Sequence, residues 1–100
     1  MKIIKEKAVT IITESLIEKK LIRELKSLGI QGYTIEDVRG EGSKGVRGSE
    51  WDQMSSVRIQ IVCDKDLAEK IINYLNKKYL DKYAMFVFMF DTETILSENK

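Results

Sequence analysis

The first third of the chain changes from strand-like to helix-like spacing of its apolar residues. The segment EKAVTIIT, residues 6–13, is rich in β-branched and apolar side chains, which favours a β-strand. The next apolar positions recur every three or four residues, which predicts an amphipathic helix with Ile17, Leu21, Leu25 and Leu28 on its buried stripe. Ser15 and Glu18 have the spacing of a capping box at the helix start, and Gly29 is expected to cap its end.

The remaining pattern predicts two more strands, a second helix and a last strand. Residues 32–39, GYTIEDVR, and residues 56–63, SVRIQIVC, fit strands, and the second of these alternates cleanly between apolar and polar positions. Asp64 is expected to cap the following helix, whose apolar residues recur at helical spacing as far as Tyr79. The segment AMFVFMFDTETI, residues 84–95, predicts the last strand.

The element order βαββαβ predicts an α+β, ferredoxin-like fold in a single domain over residues 1–100. In that fold two helices cover one face of a four-stranded antiparallel sheet. The last strand is apolar on both sides, because Met85, Val87 and Met89 alternate with Phe86, Phe88 and Phe90. The helices can cover only one set, so we expect the open face to pack against another copy of the chain, with Met89 in the interface. Alternatively, the C-terminal tail or the long loop folds over this patch.

Composition excludes several classes of function. Seventeen basic and sixteen acidic residues leave a net charge of +1, so there is no overall attraction to nucleic acid or anionic membranes. The chain has no His and one Cys, which argues against the usual zinc sites and His-based catalytic triads. Cys63 is expected to be a buried strand residue. No apolar run suits a signal peptide or a membrane span, which predicts a cytoplasmic protein.

Four of the six glycines fall within RGEGSKGVRGSEWDQ, residues 39–53, between the second and third predicted strands. Backbone amides of a glycine-rich segment can converge on an anion such as phosphate, and Arg39, Lys44 and Arg47 add positive charge. A solvated connection without a ligand remains equally open, since the segment lacks the GxxxxGK[ST] pattern and does not precede a helix. Trp51, in an otherwise polar stretch, favours contact with another protein.

Two other uses of this fold agree less well with the sequence. RNA-binding versions carry basic residues among their sheet aromatics, whereas the phenylalanines here alternate with Met and Val. Acylphosphatase-like enzymes need a glycine-rich turn between the first strand and first helix, where this chain has TESLI. No nucleophile lies beside a base in the sequence, so we expect the protein not to be an enzyme.

Nearly the whole chain resembles the PII signalling superfamily, through residues 29–48, 57–75 and 85–91. Residues 40–53, GEGSKGVRGSEWDQ, and 79–88, YLDKYAMFVF, are most similar to SbtB-type and carboxysome-associated PII-like proteins. The resemblance implies a homotrimer that binds an adenine nucleotide in each cleft between neighbouring subunits. It further implies regulation of a partner, a bicarbonate or other inorganic-carbon transporter in the membrane, with bicarbonate as a candidate co-effector.

The resemblance also assigns residues to the nucleotide site. One subunit would supply the T-loop, about residues 40–54, and its neighbour the B-loop, about residues 79–85. The implied contacts are Thr34 to the adenine, then Gly40, Gly42, Ser43, Lys44 and Arg47 near the phosphates, and Lys82, Tyr83, Ala84 and Met85 from the B-loop. Glu50 and Trp51 would contact the partner protein.

Departures from the family pattern concern charge. Nitrogen-signalling PII proteins carry lysine where this chain has Met85 and arginines where it has Ile95 and Ser97. Each charge-assisted hydrogen bond contributes ~1.5–3 kcal/mol, so we expect AMP, cyclic AMP or ADP to bind in preference to ATP. Trp51 replaces the tyrosine that is uridylylated in those proteins, so that modification is not expected. The alternative is an oligomeric ferredoxin-like regulatory domain that binds bicarbonate, an amino acid or a metal.

Overall fold

The computed structural model describes residues 1–42, 45–47 and 55–98, and for residues 41, 42 and 45–47 only the backbone. Its elements are β1 (Lys2–Glu14), a 3₁₀ turn (Ser15–Ile17), α1 (Glu18–Leu28), β2 (Thr34–Val38), β3 (Gly40–Gly42), β4 (Gly45–Arg47), β5 (Ser56–Cys63), α2 (Lys65–Lys78) and β6 (Phe86–Leu96). The predicted βαββαβ order is therefore present, with a short β3–β4 hairpin added inside the T-loop.

Strand β1 lies inside a four-stranded antiparallel sheet of order β2-β5-β1-β6, which confirms the ferredoxin-like fold. It pairs with β5 from residue 7 to its end and with β6 from residue 2 to residue 12. The segment Lys2–Glu6 therefore pairs only with Thr92–Leu96, and the two form a ribbon that projects beyond β5. The sequence pattern predicted a strand beginning only at residue 6, because the preceding residues have no clear alternation.

Both helices pack on one face of the sheet and form a continuous apolar core. Each of the following eight core residues is completely shielded from solvent: Val9, Ile11, Leu21, Leu25, Ile59, Ile61, Ile71 and Leu75. Each such side chain contributes about 1.5–3 kcal/mol relative to an exposed one. Cys63 is a buried free thiol, as predicted, and its burial, followed by the nearby charges of Asp64 and Glu6, raises its pKa.

Two of the predicted helix ends are confirmed. Gly29 adopts a left-handed φ of 111° and its N–H reaches the carbonyls of Leu25 and Lys26, so it closes α1 as only a residue without a Cβ does easily. At the start of α2 the Asp64 carboxylate accepts the Leu67 N–H at 2.8 Å.

The predicted capping box at the start of α1 is wrong. Ser15 begins a 3₁₀ turn, and α1 itself starts at Glu18 without a side-chain cap. The Ser15 hydroxyl instead lies 2.5 Å from that of Ser55, and the Ser15 N–H donates to the Ser55 carbonyl at 2.8 Å. A contact with a residue forty positions away thus displaces the local capping interaction.

The face opposite the helices has an aromatic half and a polar half. On β6 the Phe86, Phe88 and Phe90 side chains are 40–45% exposed, and their successive ring centroids lie 5.5 and 6.3 Å apart. On β2 and β5 the same face carries polar groups, where Arg58 donates to one Glu36 oxygen at 2.7 and 3.1 Å. This face therefore combines an apolar surface with a charged one.

Met89 lies on the helix side of β6, so its expected place on the open face is wrong. It is paired with Val9, a core residue shielded by the helices, whereas Phe88 is paired with Thr10 on the opposite face. Because both sides of β6 are apolar, the sequence pattern does not show which side faces the helices. Only the pairing of β6 with β1 distinguishes the two sides. Of the two alternative covers for the phenylalanines, the C-terminal segment up to Leu96 is part of β6 and does not fold over them. The other, the tip of the T-loop, lies outside the described residues.

A carboxylate joins the two helices at the root of the B-loop. Glu24 on α1 accepts hydrogen bonds from the hydroxyls of Tyr74, at 2.7 Å, and Tyr79, at 2.5 Å. Burial by itself would raise the pKa of Glu24, but the hydrogen bonds from Tyr79 and Tyr74 and the charges of Lys20 and Arg23 hold that pKa below its ordinary value. Burial, and then the bond to Glu24, raises the pKa of Tyr79 well above its ordinary value.

Replacing this carboxylate should destabilise the fold in a pH-dependent way. Glu24→Ala leaves the buried Tyr79 hydroxyl unpaired, so we expect the free energy of unfolding at pH 7 to fall by about 1–3 kcal/mol. Because the pKa of Glu24 is lowered on folding, its contribution is present above the ordinary value of 4.5 and is lost as the pH falls through the folded value. Urea denaturation at fixed protein concentration, from pH 7 to pH ~3, measures both effects.

The matched control is Glu69→Ala, which removes an exposed carboxylate from α2. Its loss of stability should stay within about 0.5 kcal/mol at every pH. Equal losses in the two variants, or a Glu24→Ala deficit that grows in acid, would contradict the role assigned to Glu24.

Candidate functional site

One end of the sheet, here called the loop end, gathers the roots of both loops. It is formed by the ends of β1 and β2 and the starts of β5 and β6. Ser56 is paired with Val38 on one side and with Glu14 on the other, and Ile12 is paired with Phe86. Neighbouring strands lie about 4.8 Å apart, which places the T-loop root at Val38 ~10 Å from Glu14.

The T-loop leaves the sheet through the β3–β4 hairpin, in which Gly40 is paired with Arg47 and Gly42 with Gly45. A Cβ added at Gly40 would meet nothing within 4 Å, and its φ is not left-handed. Among the described residues, therefore, none requires glycine at position 40 or fills the space beside its backbone. The predicted contacts of Ser43, Lys44, Glu50 and Trp51 lie outside the described residues, as does the side chain of Arg47.

The B-loop is anchored to the core through Tyr79, which is 2% exposed. Its carbonyl accepts the N–H groups of Lys82 and Tyr83 at 2.9 and 3.0 Å, and its ring centroid lies 5.2 Å from that of Tyr83. Since the Tyr79 hydroxyl is bound to Glu24, helix packing determines the position of the loop. The Lys82 side chain is exposed and forms no ion pair with the described residues.

The end of β1 holds both backbone groups of Ala84, a predicted nucleotide contact. The Thr13 hydroxyl donates to the Ala84 carbonyl at 3.3 Å, and the Ala84 N–H donates to a Glu14 carboxylate oxygen at 3.4 Å. Met85, the next predicted contact, is 1% exposed and packs in the core. A nucleotide at this loop could therefore meet Met85 only through its backbone.

Thr34 lies elsewhere, in a groove of about 260 Å³ on the polar half of the open face. The groove is also lined by Gly32, Tyr33, Gln60 and Val62, and Tyr33 and Val62 are 42% and 46% exposed. Apolar walls with a few polar groups suit a planar base. The Gln60 side-chain amide is held by its hydrogen bond to the Thr10 hydroxyl at 3.1 Å.

The structure brings the T-loop root and Ala84 together but leaves Thr34 apart from them in one subunit. Thr34 precedes Val38 by four strand residues, and β2 and β6 are the two edges of the sheet. Strand geometry then separates Thr34 from Ala84 by roughly 20 Å. A small ligand that contacts both would need one of them from a second copy of the chain.

Sequence reasoning missed the residues that organise the loop end. Thr13, Glu14 and Ser15 acquire their contacts from Ala84 and Ser55, which are distant in the chain. The only signal in the sequence was the polar tripeptide TES, residues 13–15, between an apolar strand and a helix. We interpreted it from its neighbours in the chain alone, as a helix cap. Strand register is needed to see that this tripeptide faces both loops.

The described residues contain neither a cluster of metal-binding side chains nor a helix suited to span a membrane. They contain no group of three or more Cys, Asp or Glu side chains arranged to hold a metal ion, and the chain has no His. None of their helices combines the length and the apolar character needed to cross a membrane.

Comparison with known proteins gives a consistent result. The family model for nitrogen regulatory protein P-II matches residues 6–99. A PII-like signalling protein from Thermus thermophilus is 36% identical, with 95% of this chain and 94% of that chain covered and a TM-score of 0.80.

Two more distant structures share the fold. CPII, a nitrogen regulatory PII-like protein from Thiomonas intermedia bound to ADP, AMP and bicarbonate, is 21% identical, with 96% and 99% of the two chains covered and a TM-score of 0.81. The GlnK–ATP complex of B. subtilis is 19% identical, with 88% and 82% covered and a TM-score of 0.65. At these identities the likeness concerns the fold alone.

Proposed function

Because this chain belongs to the nitrogen regulatory protein P-II family, we propose that it is a PII-like signalling protein that binds an adenine nucleotide between the subunits of a homotrimer. The observation that carries the proposal is the loop end, where Ser56 at the T-loop root is paired with Glu14, the residue whose carboxylate accepts the Ala84 N–H. Exposed Lys82 can add a cation there for a phosphate group.

Two features support a site between subunits. The aromatic half of the open face, with three adjacent phenylalanines each 40–45% exposed, is the kind of surface that soluble monomers rarely expose, which favours contact with another subunit. The roughly 20 Å between Thr34 and Ala84 exceeds the reach of one nucleoside phosphate. In a trimer, Thr34 of one subunit could lie beside Ala84 of its neighbour, so that both contact the same nucleotide.

The charge of the site favours a ligand with few phosphates. Met85 is buried where nitrogen-signalling relatives are expected to have lysine, so this position adds no cation to the B-loop. We therefore propose AMP, cyclic AMP or ADP in preference to ATP. The CPII structure contains ADP, AMP and bicarbonate, which supports adenine nucleotides as the ligand class and bicarbonate as a second effector.

The proposed output is the T-loop, which nucleotide binding orders for contact with a partner. Ordering costs about 1–2 kcal/mol per residue, so contacts from Lys44 and Arg47 can decide whether the loop docks. In the SbtB-type interpretation the partner is a bicarbonate transporter, which recruits this cytoplasmic, non-enzymatic protein to the membrane. Glu50 and Trp51 are the proposed contacts.

Calorimetric titration with AMP, cyclic AMP, ADP and ATP tests the ligand directly. We expect micromolar affinity for the mono- or diphosphates and clearly weaker binding of ATP. Arg47→Ala should weaken binding about tenfold through loss of a phosphate contact, while the exposed helix variant Arg23→Ala should not. Binding by none of the four nucleotides would favour the alternative, an oligomeric domain for bicarbonate, an amino acid or a metal.

Phe88→Asp tests the subunit interface. Placing a carboxylate in the middle of the aromatic half should dissociate the trimer, as measured by light scattering, because the charge would be buried without a partner. Met89→Asp changes the same strand on its helix side and should leave the oligomer intact. A Phe88→Asp protein that remains a trimer would remove this face from the interface.

Trp51 allows the output to be measured, since it is the single tryptophan in the chain. Its fluorescence anisotropy should rise when nucleotide orders the T-loop. Trp51→Ala should keep nucleotide affinity within about twofold but weaken co-purification with the membrane partner at least tenfold, while Trp51→Phe retains more of it. Unchanged partner binding by Trp51→Ala would exclude the anchor role.

A further inference from the structure

The Glu14 carboxylate already occupies the backbone N–H that the B-loop presents at the loop end. We propose that Glu14 is a specificity-determining residue that limits how much negative charge the nucleotide site accepts. This inference rests on the proposed function, because it requires a phosphate group near Ala84.

The contact between Glu14 and Ala84 is weak enough to be replaced. The carboxylate oxygen lies 3.4 Å from the Ala84 nitrogen, beyond the 2.7–3.2 Å typical of such bonds. A phosphate oxygen could form a shorter, charge-assisted bond with the same N–H. The neighbouring Thr13 hydroxyl holds the Ala84 carbonyl at the same time, so Ala84 stays anchored through its carbonyl when the partner of its N–H changes.

Glu14 forms no ion pair within the described part of the chain. The ion pairs there join the N-terminus to Glu98, Lys7 to Asp91, and Arg58 to Glu36. Glu14 belongs to none of them, and its immediate neighbours in the chain, Thr13 and Ser15, are neutral. The side chain is also partly buried, which reduces screening by water.

A phosphate that approaches Ala84 therefore meets a negative charge a few ångströms away. The repulsion grows with the charge of the ligand, since the Coulomb energy is proportional to the product of the two charges. Adenosine carries no charge, and the negative charge then rises through cyclic AMP, AMP and ADP. Glu14 should leave adenosine unaffected and weaken the other ligands progressively. This effect adds to the missing lysine at position 85.

The decisive variant is Glu14→Gln, which keeps the size of the side chain and an oxygen that accepts the Ala84 N–H. We expect ADP affinity to rise about threefold to tenfold, AMP affinity by less, and adenosine affinity to stay unchanged. The gain should shrink as the salt concentration is raised to ~1 M. Calorimetric titration of the intact oligomer with adenosine, cyclic AMP, AMP and ADP measures the series.

Two further variants act as controls. Glu14→Asp retains the charge, so the ratio of ADP to AMP affinity should stay near that of the wild type even if the bond to Ala84 changes. Glu18→Gln removes a carboxylate four residues along the chain, on the α1 surface beside Arg23, and should leave the series unchanged. Circular dichroism verifies that each variant is folded.

The outcomes separate this inference from the proposed function. If the wild type binds AMP or ADP and Glu14→Gln gains nothing, or gains equally for adenosine and ADP, the charge-limiting role is overturned and the nucleotide site stands. If Glu14→Asp loses the wild-type ratio as fully as Glu14→Gln does, charge is not the cause and the role is again overturned. A wild type that binds none of the ligands overturns both proposals.

Discussion

The simultaneous pairing of β1 with β5 and β6 is the constraint on which the rest of the molecule depends. Its register places alternate residues of β1 in the core and on the open face, and brings the end of the strand to both loops. A shift of one residue would exchange those faces and expose Val9 and Ile11. The contacts of Thr13, Glu14 and Ser15 with the loop roots thus follow from burial of the apolar half of the same strand.

In the proposed assembly the two halves of the open face would serve different purposes, because they differ in polarity. The phenylalanines of β6 suit permanent burial against other subunits, whereas Thr34 and Gln60 on β2 and β5 suit a ligand that comes and goes. Both halves are parts of one rigid sheet, so assembly would also set the relative positions of the ligand-binding groups. If the protein binds nucleotide as proposed, its affinity should therefore depend on the integrity of the proposed trimer.

Sequence periodicity was sufficient for the elements whose signals are local. The two helices, the strand at residues 56–63 and the caps at Gly29 and Asp64 follow from spacing and from backbone preferences. The errors concern partners distant in the chain, which periodicity does not contain. Ser15 bonds to Ser55 rather than capping a helix, and Met89 faces the helices because its register is set by β1. The contact of Glu14 with Ala84 at the loop end was missed for the same reason, while the predicted contacts of the T-loop tip remain predictions.

The ribbon of Lys2–Glu6 and Thr92–Leu96 has a practical consequence for handling the protein. It carries the N-terminus to the end of the sheet opposite the loops, with the Met1 amino group 3.3 Å from Glu98. An affinity tag, fluorophore or surface linker attached at the outer end of either strand of this ribbon would therefore lie well away from the T-loop and the B-loop. Molecules attached to a sensor surface in this way would present their loops to the solution.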